Sequence, residues 1–351
     1  MSLDYKNTIM WEEIFQQPLA IRHAIDCNAA QIAEIAQAVK ARKIKHLVLI
    51  ARGSSEHACF MAKYVAEINT QLYVSMVQPS IFTAYHGKVD YGDALCVALS
   101  QSGGARDVAK ALLACKDQGA LTVTLTNVRG SVLGDLGHYN LNNECGPELC
   151  VTATKSFMTQ MIFLIALINA ISPSEKLTAF LAQADQAATH ALTLADQIED
   201  KIGLFKDQRH MMIFARGISF AMGLEAELKI QETCTLDARC YAVSDYLHGP
   251  IVTADSNIPA LFYVFDEHTN QDTIQLLNKL KHEKNVDVLV ITDQNELAQD
   301  NNSILIETKQ EELNGVIIGM MLSQMLACQL SVKRGYNPDS PIGVTKNTVT
   351  F

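Results

Sequence analysis

His46-Leu-Val-Leu-Ile-Ala-Arg-Gly-Ser-Ser55 aligns without gaps with His210-Met-Met-Ile-Phe-Ala-Arg-Gly-Ile-Ser219. In both stretches an apolar run that is typical of a buried strand ends in Ala-Arg-Gly, and a helical pattern follows it. Further along, Leu125-Thr-Asn127 corresponds to Ile291-Thr-Asp293, again where a strand pattern ends. The same match at the same strand end in both halves indicates a duplicated domain.

In both halves of the chain, short β-rich runs alternate with longer helical patterns. The alternation predicts an α/β fold with mainly parallel sheets covered by helices on both faces. We expect strands at residues 46–51, 72–77, 94–99, 121–126 and 139–142, and again at 210–215, 260–265, 286–291 and 303–306. We expect helices at residues 55–68, 105–116, 154–171, 219–236, 271–283 and 314–333, with one long linking helix at about 175–201.

These elements predict four parts of the chain. Residues 1–30 form an N-terminal helical segment, 31–185 the first domain, 186–334 the second domain with the linking helix, and 335–351 a C-terminal tail. The tail has neither the strand nor the helix period, so from pattern alone it is a frayed terminus.

The composition limits the partners. Of the 351 residues, 48% are hydrophobic and 19% charged, which predicts a sizeable core rather than disorder. The formal net charge is −10 without a Lys/Arg-rich run, which argues against a nucleic-acid or membrane-surface partner. An anionic ligand would therefore need local donors, because the overall field repels it.

The cysteines and the N-terminus favour a cytoplasmic location. Nine cysteines are scattered without a CxxC pair, which is typical of reduced thiols, although one nucleophilic cysteine stays an alternative. Met1–Lys6 lacks the apolar run of a signal peptide. The apolar stretches 157–171 and 316–330 are short and interrupted by polar residues, so we expect buried helices and no membrane span.

Two serine-rich turns follow strand patterns of the first half. Ser100-Gln-Ser-Gly-Gly104 comes directly after the third strand pattern and Gly53-Ser-Ser55 after the first, and each opens a helical pattern. Such turns aim free backbone N–H groups and the positive end of a helix at one place. We therefore expect an anion site, with simple helix capping as the alternative. Neither turn matches a nucleotide-binding loop.

Taken together, these segments resemble the sugar isomerase (SIS) family. Ser100-Gln-Ser-Gly103 is similar to its phosphate-binding signature, and Gly146-Pro-Glu-Leu-Cys-Val-Thr-Ala-Thr-Lys-Ser-Phe157 to the stretch before its long core helix. Leu224-Glu-Ala-Glu-Leu-Lys-Ile-Gln-Glu232 and Tyr246-Leu-His-Gly-Pro250 are similar to two further segments. The specific likeness, from about Gln31 onwards, is to the isomerase half of glucosamine-6-phosphate synthase. It implies two tandem doubly wound parallel-sheet domains of the flavodoxin-like SIS type.

The resemblance also implies the roles of individual residues, with a hexose 6-phosphate as the substrate and no cofactor. It places substrate binding on Ser54, Ser55, Ser100, Gln101, Ser102 and Val151. It places catalysis on Glu232 as the base that moves a proton between C1 and C2, His248 as the ring-opening residue, and Lys346 in a tail that folds over the sugar. In the family this histidine serves the neighbouring subunit, which implies a homodimer.

The chain departs from the family pattern at several positions. Gly104 and Ala105 stand where the family has an acidic residue and a threonine, and Ala153 where the synthase has a serine. These changes bear on sugar selectivity. The sequence also begins almost directly with the isomerase part, without the synthase's glutaminase domain. We therefore expect the catabolic direction, in which an amino sugar phosphate is opened and ammonia is released.

Residue chemistry agrees with these implied roles. Glu225, Lys229 and Glu232 stand at i, i+4 and i+7, which places them on one helical face. A solvated ion pair is the alternative; with the resemblance, we expect Glu232 to be the base and Lys229 to hold it ionised. His248 precedes Gly-Pro, as in a site loop, and imidazole both donates and accepts near neutral pH. The sequence contains no metal-ligand spacing, so we predict no metal.

Three functions follow as hypotheses. The first is an isomerising glucosamine-6-phosphate deaminase. The second is an aldose–ketose isomerase or a ketosamine-6-phosphate deglycase acting on another hexose 6-phosphate. The third is a sugar-phosphate-sensing regulator without catalysis, which would need the anion site alone.

Overall fold

The architecture is that of two parallel sheets wrapped by helices. A computed structural model describes residues 3–346 of the chain. Within that range ten strands form two five-stranded sheets in which every pairing is parallel. This confirms the predicted fold class.

The chain divides into two compact units. The first unit is built mainly from Leu19–Glu148 and Ala153–Gln183. The second unit consists mainly of Ala184–Val344, with residues 3–18 and Leu149–Thr152 added to it. Two helices precede the first strand: α1 (Ile9–Phe15) and α2 (Gln17–Ala41).

The sheet of the first unit has the strand order β2-β1-β3-β4-β5. Strands β3 and β4 are buried at every residue, because helices cover both faces of the sheet. The order reverses between β1 and β3, and ligands of open parallel sheets bind at such a switch point. The bounds are β1 His46–Ile50, α3 Ser54–Asn69, β2 Tyr73–Val77, α4 Ser80–Thr83, β3 Ala94–Ser100, α5 Arg106–Asp117, β4 Leu121–Thr126, β5 Tyr139–Asn142 and α6 Lys155–Ile171.

The second unit repeats this topology. Helices α7 (Glu175–Thr193) and α8 (Ala195–Glu199) lead to a sheet whose order, β7-β6-β8-β9-β10, is that of the first sheet. The internal repeat read from Ala-Arg-Gly is therefore a repeat of structure. The bounds are β6 His210–Ala215, α9 Phe220–Cys234, β7 Asp237–Ala242, α10 Val243–Leu247, β8 Ala260–Val264, α11 Asn270–Asn278, β9 Val288–Thr292, β10 Ser303–Leu305 and α12 Glu312–Lys333.

The prediction lacks the short helices α4 and α10, and two further elements differ from it. The strand β7 was not predicted, because it is an edge strand with exposed residues and lacks an apolar run. The predicted long helix at 175–201 is two helices, since the chain leaves helical geometry at Leu194, where φ is −96° and ψ is 2°. No glycine or proline marks that break in the sequence.

Helix α12 belongs to the core of the second unit. Its 22 residues are long and apolar enough to cross a membrane by length and composition, but 94% of that apolar window is buried inside the protein. A helix that is apolar on all sides and covered by protein is a core helix. The predicted burial of residues 316–330 is thus confirmed.

Candidate active site

The switch point of the first sheet carries both serine-rich turns. Strands β1 and β3 are hydrogen-bonded neighbours, and Ile50 pairs with Ala98 near their carboxyl ends. The turns that follow these strands therefore lie side by side. Ser100 is the last, buried residue of β3, whereas Gln101 and Ser102 are half-buried. Ser54 and Ser55 stand in the first turn of α3, the first half-buried and the second buried.

The turn after β3 has a fixed backbone. Gly103 has a φ of +65°, and a Cβ at this position would stand 1.9 Å from Ser131 Oγ, so only glycine fits. Its carbonyl accepts a hydrogen bond from Leu133 N at 2.9 Å, and the Gln101 carbonyl accepts one from Asn127 N, also at 2.9 Å. These bonds come from the loop that follows β4. They fix the conformation of the turn, which preorganises it for a ligand.

Two helices begin at these turns, and their N-cap residues have no hydrogen-bond acceptor in the side chain. Gly53 precedes α3 and Ala105 precedes α5, and neither has a side-chain acceptor for the first N–H groups. A helix whose N-terminal N–H groups lack a side-chain cap can offer them to an anion. The Ala105 departure therefore removes one hydroxyl and leaves the N-cap of α5 without a side-chain acceptor. Space is also open at Gly53, where a Cβ would meet nothing within 4 Å.

The corresponding place in the second unit is filled by the protein itself. Gly217 has the position of Gly53, with a φ of +64°, but a Cβ there would stand 2.6 Å from Asp266 Oδ2. Asp266 lies two residues after β8, as Ser102 lies two residues after β3, and its burial raises the pKa of this carboxyl. The Asp266 side chain thus takes up space in the second unit that is open beside Gly53 in the first.

The second unit instead carries a buried ion cluster on α9. Lys229 Nζ lies 3.3 Å from Glu225 Oε1 and 2.8 Å from Glu232 Oε2. The side chains of Lys229 and Glu225 are fully buried, while that of Glu232 is 22% exposed. The predicted helical face is therefore present, but two of its three charges are in the core rather than in water.

Electrostatics keeps Lys229 protonated in this cluster. Burial opposes the charged ammonium, but the carboxylates of Glu225 and Glu232 outweigh it, so the pKa of Lys229 is raised above its ordinary value. The ammonium lies 2.8 Å from Glu232 Oε2 and holds this carboxylate in one position, as a general base requires. Glu232 is the member of the cluster that a ligand can reach.

His248 lies on an exposed turn. It follows α10, its backbone N–H donates to the Asp245 carbonyl at 3.2 Å, and its side chain is exposed. Among residues 3–346 its imidazole has no hydrogen-bond or ion-pair partner. The structure therefore does not bring His248 into the ion cluster of α9.

A residue that the sequence did not single out holds Lys346. Lys346 Nζ is 3.3 Å from Oε2 of Glu148, a side chain that is fully buried. Glu148 Oε1 accepts from the backbone N–H groups of Thr154 and Ser156 at 3.0 and 2.9 Å, so it caps α6. A lone glutamate in a loop gives no pattern. The one available signal is that α6 starts after Thr154, whose side chain does not cap it. Val151 is half-buried in a bend, and the rest of the tail, 347–351, lies outside the described residues.

Burial raises the pKa of Cys145 and Cys234 to about 12, which keeps both thiols protonated near neutral pH. Between residues 3 and 346 there is no group of three His, Cys, Asp or Glu side chains that could hold a metal ion.

Comparisons with known proteins agree with this arrangement. The chain is 29% identical over 356 residues to the glutamine–fructose-6-phosphate aminotransferase (isomerizing) of Pyrobaculum aerophilum; the match covers 97% of this chain and 57% of that protein. The tagatose-6-phosphate ketose/aldose isomerase of Escherichia coli superposes with a TM-score of 0.83 at 19% identity, covering 99% of both chains. The glucosamine-6-phosphate deaminase of Thermotoga maritima superposes with a TM-score of 0.77 at 17% identity, covering 98% of this chain and all of that one.

The two structural likenesses show a shared fold, and the sequence match confirms the resemblance to the isomerase half of the synthase. The model of the SIS domain matches twice, over residues 40–170 and 204–334. Each match contains one of the two sheets. The chain belongs to the SIS domain family.

Proposed function

We propose that this protein is an isomerising deaminase that converts glucosamine 6-phosphate and water into fructose 6-phosphate and ammonia. The family supports a phosphosugar enzyme, and the substrate and reaction are our inference. One observation carries it: Glu232, partly exposed, is held 2.8 Å from an ammonium that is itself fully buried. A partly exposed carboxylate held in this way can accept a proton from carbon next to an aldehyde.

The anion site supplies binding. The phosphate group is assigned to the turns containing Ser54, Ser55 and residues 100–102, where hydroxyls and backbone N–H groups are neutral donors. Neutral donors suit a protein with a net charge of −10, because they need no cationic field around the site. Phosphate binding fixes the sugar, so the energy of binding can orient C1 and C2.

The chemistry then needs one base and one ring-opening group. In the homodimer that we also propose, His248 of the partner subunit moves a proton from the anomeric hydroxyl to the ring oxygen, which gives the open-chain aldehyde. Glu232 takes the proton from C2 while the C1 oxygen gains a proton from water, which gives an enolamine. Glu232 then returns its proton to C1 while the nitrogen gives one proton back to water. The product is the C2 imine of fructose 6-phosphate, which water hydrolyses to the ketose and ammonia. Lys346, paired with Glu148, covers the sugar in this proposal.

The proposal predicts ammonia release in a defined assay. The purified chain, with neither glutamine nor added metal, should release one ammonia per fructose 6-phosphate formed from glucosamine 6-phosphate. Galactosamine 6-phosphate, tagatose 6-phosphate and a fructosamine 6-phosphate complete the panel, each with a coupled assay for its own product. Turnover of one of these with background ammonia from glucosamine 6-phosphate would replace the deaminase with the isomerase or deglycase. Binding without turnover of any of them would indicate the regulator.

A further inference from the structure

We propose that Arg52 and Asp107 are a positioning pair that sets the spacing of the two turns of the anion site. Arg52 directly precedes the turn that begins at Gly53, and Asp107 stands in the first turn of α5, directly after the turn at 100–105. The ion pair therefore links the residue before the first turn to a residue just after the second. The inference rests on the proposed function only in taking these turns as the phosphate site.

The contacts hold the guanidinium in one orientation. Arg52 Nε donates to Asp107 Oδ2 at 3.1 Å, and Arg52 Nη1 donates to Gln78 Oε1 at 2.8 Å. Asp107 is buried, and its Oδ1 accepts from the backbone N–H of Val108 at 2.9 Å. Charge-assisted bonds from a planar fork fix geometry as well as contributing energy. A shift of Arg52 would thus move the start of α3 relative to that of α5.

The pairing also explains why Arg52 acts through position and not as a phosphate ligand. Its charge is matched by a buried carboxylate 3.1 Å from Nε, and its Nη1 donates to Gln78. Two of its three nitrogens are thus engaged by the protein, which fixes the guanidinium and leaves direct binding of a phosphate to Nη2 alone. The pair fixes the distance between two sets of neutral hydrogen-bond donors, namely those of the two turns.

The duplicated unit offers an internal control. Arg216 occupies the position of Arg52 after β6, and its Nη1 donates to Asp272 in the first turn of α11, as Arg52 does to Asp107 in α5. The two arginines are similarly exposed, at 37% and 33% of the side chain. The turn next to Arg216 is filled by Asp266, so that pair borders no anion site. The pair belongs to the fold in both units and serves binding in one.

The experiment compares the two pairs. Arg52→Met and Asp107→Asn break the first pair, and Arg216→Met and Asp272→Asn break the second. The Kd for glucitol 6-phosphate, a sugar phosphate without a carbonyl, is measured by calorimetry, together with the Tm, kcat and KM. We expect Arg52→Met and Asp107→Asn to weaken binding and raise KM roughly tenfold, equivalent to about 1.4 kcal/mol, with kcat little changed. Both second-unit variants should leave the Kd unchanged, with at most a small fall in Tm, because the Arg216 and Asp272 side chains are 33% and 45% exposed.

Three results would overturn the inference. Equal changes in Kd for both pairs would indicate a general effect on folding. Unchanged binding in Arg52→Met would remove its role. Tighter binding in Asp107→Asn, where Arg52 is freed, would identify Arg52 as a direct ligand. The deaminase proposal is tested separately: a wild-type chain that binds glucitol 6-phosphate but releases no ammonia contradicts the reaction and leaves the positioning pair intact.

Discussion

Glu232→Gln should lower the turnover of glucosamine 6-phosphate by about 10²–10⁴-fold, the usual contribution of a general base. Glutamine keeps the size of the side chain and an oxygen that can accept from Lys229 Nζ, so the α9 helix and substrate binding should persist. Single-turnover kinetics measures the chemical step, and calorimetry with glucitol 6-phosphate measures binding. Normal turnover, or a parallel loss of binding, would rule out Glu232 as the base.

A matched control accompanies this variant. Glu227→Gln makes the same change on the same helix, at a carboxylate whose contacts are with Gln231 and Cys240 N, and should leave turnover unchanged.

Mixing Glu232→Gln with His248→Ala tests the homodimer that we propose. If His248 serves the partner's substrate, random pairing restores about a quarter of wild-type activity, because half the dimers keep one intact site of two. Sites built within one chain would restore none.

Lys229→Met should reduce stability by about 3–5 kcal/mol, because it leaves the fully buried Glu225 carboxylate without its cation. Urea unfolding measures this loss. The two carboxylates raise the pKa of Lys229, so its contribution is fully present below the unfolded value of about 10.4 and is lost as pH rises through the raised folded pKa. The gap between wild type and variant should therefore persist at neutral pH and narrow only under alkaline conditions.

The matched control is Lys63→Met. Lys63 pairs with Glu67 at i, i+4 and 2.6 Å on α3, but both side chains are more than a third exposed. An exposed pair of this type contributes about 0–1 kcal/mol. Adding Glu225→Gln to Lys229→Met should recover part of the lost stability, since it removes the uncompensated charge. A Lys229→Met protein as stable as Lys63→Met would contradict the buried cluster.

The sequence alone predicted most of the fold, because its signals are local. Buried strands such as β1 and β6 are continuous apolar runs, and their repetition reveals the duplication. The edge strand β7 contains Asp237, Arg239 and Cys240 and is partly exposed, so no run or alternation marks it. The break at Leu194 was hidden for a related reason: a leucine there fits a continuous helix.

The site was predictable where a turn or a helical face carries it, as at residues 100–104 and on α9. What depends on burial was not. No pattern in the amino-acid sequence shows that Lys229 is fully buried, that Glu148 caps α6 or that Asp266 fills the second unit's turn. Burial and the approach of Asp266 to Gly217 depend on residues far apart in the chain, whereas Glu148 bonds to N–H groups six and eight residues further on. The repeated Ala-Arg-Gly did point to Arg52 and Arg216, but their partners Asp107 and Asp272 appear only in the folded protein.

The most direct test of the account follows one hydrogen atom. Glucosamine 6-phosphate carrying deuterium at C2 is incubated with the enzyme, and the fructose 6-phosphate is analysed by NMR and mass spectrometry. One base that takes the proton from C2 and returns it to C1 predicts ammonia release, slower turnover than with unlabelled sugar, and deuterium at C1 of the ketose. Recovery of the sugar with its C2 deuterium intact and ammonia at background would contradict the proposal that Glu232 moves this proton.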